Sequence, residues 1–296
     1  MNGWICLDKP EGISSNFAMI KIRQIFECKT GYIGTLDPFA TGALPIAIGE
    51  ARKFIPYTNE SEKTYIFTMI FGTTTDSIDK DGDIIKTSSK IPEKNEVAEV
   101  LPSFIGEQYQ MPPAFSAIKI NGKRACDRVR NGENIKLSPR KITIFSLNII
   151  HQQNNDKKSL TLQVSCSKGT YIRSIARDIA EKLGTVAYVE SLRRIKSGFF
   201  SINNAISLEK LHEMKDTNKL VHTLISLESP LDDIPALYLR QEDVAKLQNG
   251  LKISIDHCDL SSTNVLIHDD TNRKFKGIGI VSDDGSEIKA VRMCVY

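Results

Sequence analysis

The sequence predicts an α+β fold, a central sheet with packed helices followed by a small C-terminal β-barrel, and three observations carry that prediction. Lys63–Phe71 sets Tyr65, Phe67, Met69 and Phe71 against Thr64, Ile66, Thr68 and Ile70, a strand apolar on both faces as in the middle of a sheet. From Thr170 onward, Ile172, Ile175, Ala176, Ile179, Ala180 and Leu183 form one helical stripe, and Gly184 supplies the stop. Near the C-terminus, short alternating runs are separated by turns such as Ser282-Asp283-Asp284-Gly285, the pattern of a small barrel.

Taken in order, Gly3–Lys9 reads as a short strand and Pro10–Gly12 as a turn. Ser14 or Ser15 then caps a helix running to about Phe26. The polar stretch Gly72–Asp83 carries Ser77, Asp79, Asp81 and Gly82 near the spacing of a calcium loop. Its twelfth position is Ser88 rather than a bidentate Glu, and a strand precedes it where a helix is required, so a solvent-exposed or substrate-facing loop is expected. Ser159–Cys166 alternates Leu160, Leu162, Val164 and Cys166 with polar residues, as a half-buried strand does. Pro230-Leu231-Asp232-Asp233-Ile234-Pro235 is the linker candidate, dividing a larger domain (1–235) from a small one (236–296), and Gln241–Gln248 reads as helix.

Composition narrows the function classes. At 296 residues, 41% hydrophobic and 25% charged, the chain is ordinary globular material. It has no apolar run near the ~18 residues that span a bilayer, and its first ten residues lack the basic and apolar segments of a signal peptide. A cytoplasmic protein with reduced thiols is expected. The six cysteines form no C-x-x-C pair, the histidines have no ligand spacing, and His257-Cys258 is read as structural, so no metal is expected. Phosphate-loop, dinucleotide-fingerprint and nucleophile-elbow motifs do not occur, and nothing calls for a nucleotide cofactor.

The net charge of +3 is unevenly spread. Between Phe115 and Lys141, eight basic residues face two acidic ones, enough positive charge to follow a phosphate backbone; a solvated basic face fits the same count. From Tyr238 to Tyr296 there is no basic excess, with eight basic and nine acidic residues.

Chemistry concentrates at Gly34-Thr35-Leu36-Asp37-Pro38-Phe39-Ala40-Thr41-Gly42. Two glycines permit tight or left-handed backbone at the ends, while Pro38 fixes its own φ and biases Asp37 toward extended geometry. Such an Asp is also a common turn former; partners elsewhere decide between the two roles. Arg173 stands in the first turn of its helix, where a cation opposes the helix dipole and calls for a local or bound anion unless it is simply exposed.

The nine-residue loop with Ala43-Leu44-Pro45 resembles the signature of the tRNA pseudouridine 55 synthases, the TruB family. The resemblance extends in order through Leu7–Ser15, Gly49–Lys53, Lys63-Thr64-Tyr65, Gly72–Gly82, Met111–Lys119 with Gly122-Lys123-Arg124, Ser167–Arg173 and Ser191-Leu192-Arg193-Arg194. About the first 230 residues are covered, and the tail resembles the family's small PUA-like barrel more weakly. The resemblance implies a pseudouridine synthase fold with a mixed, mostly antiparallel sheet. It also implies isomerisation of uridine 55 in the T arm of tRNA: the base flips out, the N-glycosidic bond breaks, and the uracil rejoins through C5. No cofactor and no protein partner are implied, and a monomer is expected. The alternative reading is a non-catalytic tRNA-binding or folding module with the same clamp.

Residue by residue, Asp37 matches the family's catalytic Asp and Arg173 its partner, since a cation within ~4–6 Å favours a carboxylate's charged form. Tyr65 matches the aromatic that stacks on the uracil. Leu192, Lys9, Lys53, Lys119, Lys123 and Arg124, in the matched blocks, join Arg173, Tyr65 and Tyr32 as expected substrate-binding residues. The stretch 123–141 matches an insert that clamps the T arm. Two positions depart from the pattern. Tyr32 stands where a His usually enters the RNA, keeping an aromatic face without imidazole hydrogen bonding, and Cys126 stands where Tyr is common.

Overall fold

The computed structural model describes residues 1–59, 62–151, 158–215, 217–256 and 260–295; the pair His257-Cys258 lies outside them. Gly3-Trp4-Ile5-Cys6-Leu7 has apolar residues at successive positions, so as a strand it must be covered on both faces. Gly3–Lys9 is that strand. Ile5 and Leu7 enter one core and Trp4 and Cys6 the other.

Around it builds a nine-stranded sheet in the order 3–9, 41–48, 187–197, 62–71, 159–167, 140–151 and 106–110, with 30–32 paired onto 41–48 and 200–201 onto 187–197. All pairings are antiparallel except that of 187–197 with 41–48, which is parallel at Arg193↔Thr41 and Arg194↔Gly42. The sheet is therefore mixed and mostly antiparallel. In Glu62–Phe71 the side chains of Tyr65, Phe67, Met69 and Phe71 are buried, while Ile66 and Ile70 are only half-buried; the strand is more one-sided than its composition predicts.

Helices cover the first face, among them the two longest of the described residues. Ser15–Phe26 is capped by Ser14, whose hydroxyl accepts from the Phe17 N–H, and it buries Ala18, Ile22, Ile25 and Phe26. Ile172–Lys182 buries the predicted stripe but begins two residues after Thr170. The Gln110 side-chain amide both accepts from the Tyr171 N–H (2.8 Å) and donates to the Tyr171 carbonyl (3.1 Å), which holds the backbone extended up to that start.

A second, five-stranded sheet follows in the order 236–239, 264–269, 275–281, 287–293 and 253–254. Among the described residues no pairing joins its two ends, so the expected barrel is a curled half-barrel. Leu266, Phe275 and Ile278 of this sheet, with Cys294 just past its strand 287–293, share a core with Trp4, Ala47 and Phe54. Pro230 and Leu231, read as linker, are buried in this region rather than exposed.

The parallel seam decides why Gly42 is glycine. Its φ is +101°, and a Cβ would lie 2.3 Å from the Arg194 carbonyl oxygen. Gly12 also has positive φ (+83°), yet a Cβ there meets nothing within 4 Å. Both alanine substitutions are strained, but Gly42→Ala adds a backbone collision. Gly42→Ala is expected to lower the urea midpoint clearly more than Gly12→Ala; equal losses would contradict this account of the seam.

Candidate active site

The Gly34–Gly42 loop is immobilised from four directions. Leu36, Phe39 and Ala40 are buried in the main core. The Ser15 hydroxyl donates to the Leu36 carbonyl (2.9 Å) and accepts from the Leu36 N–H (2.8 Å), and the Gly12 N–H donates to the Pro38 carbonyl (2.9 Å). Arg194, fully buried, donates from Nε to Ala43 (2.7 Å) and from Nη2 to Gly34 (2.8 Å), so one guanidinium spans both ends of the loop.

The fourth tie corrects a sequence expectation. Lys9 is not on an RNA-facing surface: it is 0% exposed, and its ammonium donates to the carbonyls of Pro10 (2.8 Å), Ile13 (2.7 Å) and Pro38 (3.2 Å). Burial pulls its pKa down to about 8, against the opposing pull of Asp37 and Glu11. Lys53 is placed elsewhere. It is 2.6 Å from Glu50 and donates to the Met293 carbonyl (3.1 Å), tying the 3₁₀ segment Gly49–Tyr57 to the last strand, apart from the Asp37 cavity.

With the loop fixed, Asp37 presents a side chain 36% exposed, and its Oδ2 lies 2.9 Å from Arg173 Nη2. Arg173 is only 4% exposed. Both terminal nitrogens are committed further: Nη1 donates to the Ser77 carbonyl (2.8 Å) and to Asp79 Oδ2 (3.0 Å), and Nη2 to the Phe115 carbonyl (2.8 Å). Two carboxylates thus supply the anions that a cation in a helix's first turn requires.

Asp79 is the partner that sequence reading missed. The stretch read as a solvent-exposed or substrate-facing loop is a small hairpin, Thr73–Thr75 with Ile84–Thr87, whose turn lines a cavity shared with Asp37 and also buries Ser77 and Asp79. Burial raises the Asp79 pKa, while the Ser77 hydroxyl (2.6 Å) and Arg173 oppose that rise. Between them Ile78 has φ +62°, a left-handed conformation that a β-branched residue adopts only under strain, and the twist turns the Ser77 carbonyl and the Asp79 carboxylate toward one guanidinium nitrogen. The calcium-like spacing of this loop hid its other use, which is to anchor an arginine.

Asp37 lies on the wall between two cavities. One, of about 370 Å³, is lined by Tyr65, Leu192, Lys63, Tyr171 and Arg173 as well as Asp37. Tyr65 and Leu192 come from neighbouring strands, and both are 7% exposed. Burial pushes the Tyr65 phenol pKa up, opposed by Arg194, and likewise that of Tyr171, opposed by the Ser116 hydroxyl. The other, of about 640 Å³, brings Asp37 together with Tyr32, Asp81, Arg124, Cys126 and Arg130. Lys119 and Lys123 stand farther out on an exposed two-stranded hairpin, beside Arg124 and Arg128. Of the expected residues, Asp37, Arg173, Tyr65, Leu192, Tyr32 and Arg124 meet here. Lys63, Tyr171 and Arg194 lay inside matched blocks but had no periodicity or spacing to mark them.

The fold, set beside solved structures, is that of a pseudouridine synthase. The chain superposes on one from an H/ACA RNP bound to a substrate RNA containing 2′-deoxyuridine with a TM-score of 0.73, at 18% identity, covering 99% of this chain and 85% of that one. On one from a Cbf5-Nop10-Gar1 complex the TM-score is 0.71, at 22% identity, with 99% and 84% covered. Residues 21–172 match the family described as "TruB family pseudouridylate synthase (N terminal domain)", and 173–232 match "tRNA pseudouridylate synthase B C-terminal domain". The tRNA pseudouridine synthase B of Zymomonas mobilis is 47% identical over 86% of this chain and 84% of its own length. That of Caulobacter vibrioides is 44% identical over 86% and 81%. The class is thus the pseudouridine synthases, which are isomerases. Within that class, the chain belongs to the TruB family of tRNA pseudouridine synthases.

The buried Lys9 ammonium generates a pH prediction. Below pH 8 folded and unfolded chains both hold its proton, and burying the charge is a constant cost. Between about 8 and 10.5 the folded chain releases the proton first, the unfolded chain binds more, and stability rises with pH. The unfolding free energy of wild type minus that of Lys9→Met is expected to climb across this window; a flat difference would contradict the assignment.

Proposed function

We propose that this enzyme isomerises uridine 55 in the T arm of tRNA to pseudouridine, with Asp37 as the catalytic residue. The observation that carries the reading is the Asp37–Arg173 pair at 2.9 Å, on a rigid loop beside a cavity that also holds Tyr65 and Leu192. Arg173 engages Oδ2, which leaves Oδ1 for the ribose. Asp37 either attacks C1′ or takes the C2′ proton so that a glycal forms; in both routes the N-glycosidic bond breaks and the uracil turns. C5 then bonds to C1′, displacing Asp37 in the first route and with the C2′ proton returned in the second, after which C5 loses its proton and N1 ends protonated.

A uridine reaches Asp37 only after leaving its stack, at a cost of a few kcal/mol. Stacking on Tyr65, of the kind worth ~1–3 kcal/mol per base, offsets part of it. Tyr32, lining the cavity on the other side of Asp37, is read as the aromatic that fills the space left in the RNA. Lys119, Lys123 and Arg124 project from the basic insert, about 123–141 with its preceding strand, which is read as the clamp on the T stem-loop. Residues 1–235 are read as the catalytic domain and 236–296 as a PUA-like unit. The protein is read as a cytoplasmic monomer. A glycoside hydrolase would need a second available acid; Asp79, with contacts to Ser77, Asp81 and Arg173, is committed.

Transcript tRNA carrying tritium at uridine C5 tests the reading. Wild type is expected to release the label, and Asp37→Asn to release none while binding tRNA within about threefold of wild type. Release by Asp37→Asn, or none by wild type, would overturn it. Deuterium at C2′ separates the routes: a primary isotope effect accompanies the glycal path only.

A further inference from the structure

We infer that Arg194 is a positioning residue for the isomerisation, coupling the Asp37 loop to Tyr65 so that carboxylate and aromatic keep their spacing across the cavity. The inference deepens the reading of Asp37 as catalyst and rests on it. Its first support is placement. Arg194 sits on the strand between the two catalytic elements, paired in parallel with Gly42 at the loop's end and antiparallel with Tyr65 on the other side. Its side chain is fully buried and takes the carbonyls of Gly34 and Ala43.

The second support is what remains unpaired. Nη1 is buried with no acceptor in hydrogen-bonding geometry. A buried guanidinium held by two carbonyls, with both N–H groups of Nη1 left without an acceptor in good geometry, is a costly way to staple a loop, because each unmet donor forfeits its hydration. Nη1 lies only 3.1 Å from where a Cβ on Gly34 would be, so it stands directly behind the cavity wall that Gly34 and Tyr65 share. The same guanidinium bears on the Tyr65 phenol, favouring its charged form against the larger effect of burial. One side chain therefore bonds both ends of the Asp37 loop and bears electrostatically on the aromatic opposite.

The test uses full-length Arg194→Lys, which keeps the charge without the fork, Arg194→Gln, which keeps a donor without the charge, Tyr65→Phe, and the Lys/Phe double variant. Single-turnover tritium release is measured per folded protein, with tRNA affinity and thermal midpoint alongside. Expected for Arg194→Lys and Arg194→Gln is a fall in rate of about tenfold or more with affinity within about threefold. Expected for the double variant is a loss no greater than the larger single loss, the signature of two groups acting as one. Additive losses, unchanged rates, or a change in affinity rather than rate would overturn the inference. Arg194→Gln decides if Arg194→Lys does not fold. Silence of the wild type would instead overturn the reading of the enzyme itself.

Discussion

A guanidinium at the start of a helix, withdrawn from water, survives only where anions and carbonyls replace its hydration, and Arg173 has both. It draws on two carboxylates and two carbonyls from three separate stretches of chain: the Asp37 loop, the Ser77–Asp79 turn and Phe115. Removing any one contributor leaves a buried charge incompletely met, and such losses are large because the remaining group cannot be rehydrated. The arrangement of these segments is therefore a consequence of one ion. Asp79 belongs to it as fully as Asp37 does, and the strained left-handed Ile78 between Ser77 and Asp79 is tolerated because it turns two acceptors toward the same nitrogen.

The same logic extends to the loop's other supports. Lys9 and Arg194 are cations with no exposure at all, met by backbone carbonyls, and they fix the carbonyls of Gly34, Pro38 and Ala43. Three buried positive groups around one partly exposed carboxylate make a site that is rigid behind Asp37 and open toward its two cavities. On the proposed reading of Asp37 this rigidity matters, because a carboxylate free to rotate would spend most of its time away from the carbon it must reach.

Much of this was legible in the sequence wherever the signal was local. The strand Gly3–Lys9, the Ser14 cap and the helix Gln241–Gln248 follow from spacing and cap chemistry. Arg173's awkward place in its helix foretold an anion, but not that there would be two, since Asp79 is 94 residues away and its loop imitates a calcium site. Lys9 misled for a related reason. A lysine in a family block reads as an RNA contact, and one dimension does not show whether its ammonium meets water, carbonyls or a carboxylate. The linker Pro230–Pro235 has the composition of a tether, yet Leu231 is buried in the core that Trp4 and Phe54 share with the second sheet.

All of this geometry serves one claim, that a site built around Asp37 acts on a single uridine in the T arm of tRNA. Carbodiimide-dependent primer extension on tRNA treated with the purified enzyme tests it most directly. The account predicts one new stop, reporting pseudouridine at position 55. Stops at other uridines with none at 55, or free uracil in place of the retained isomer, would contradict it.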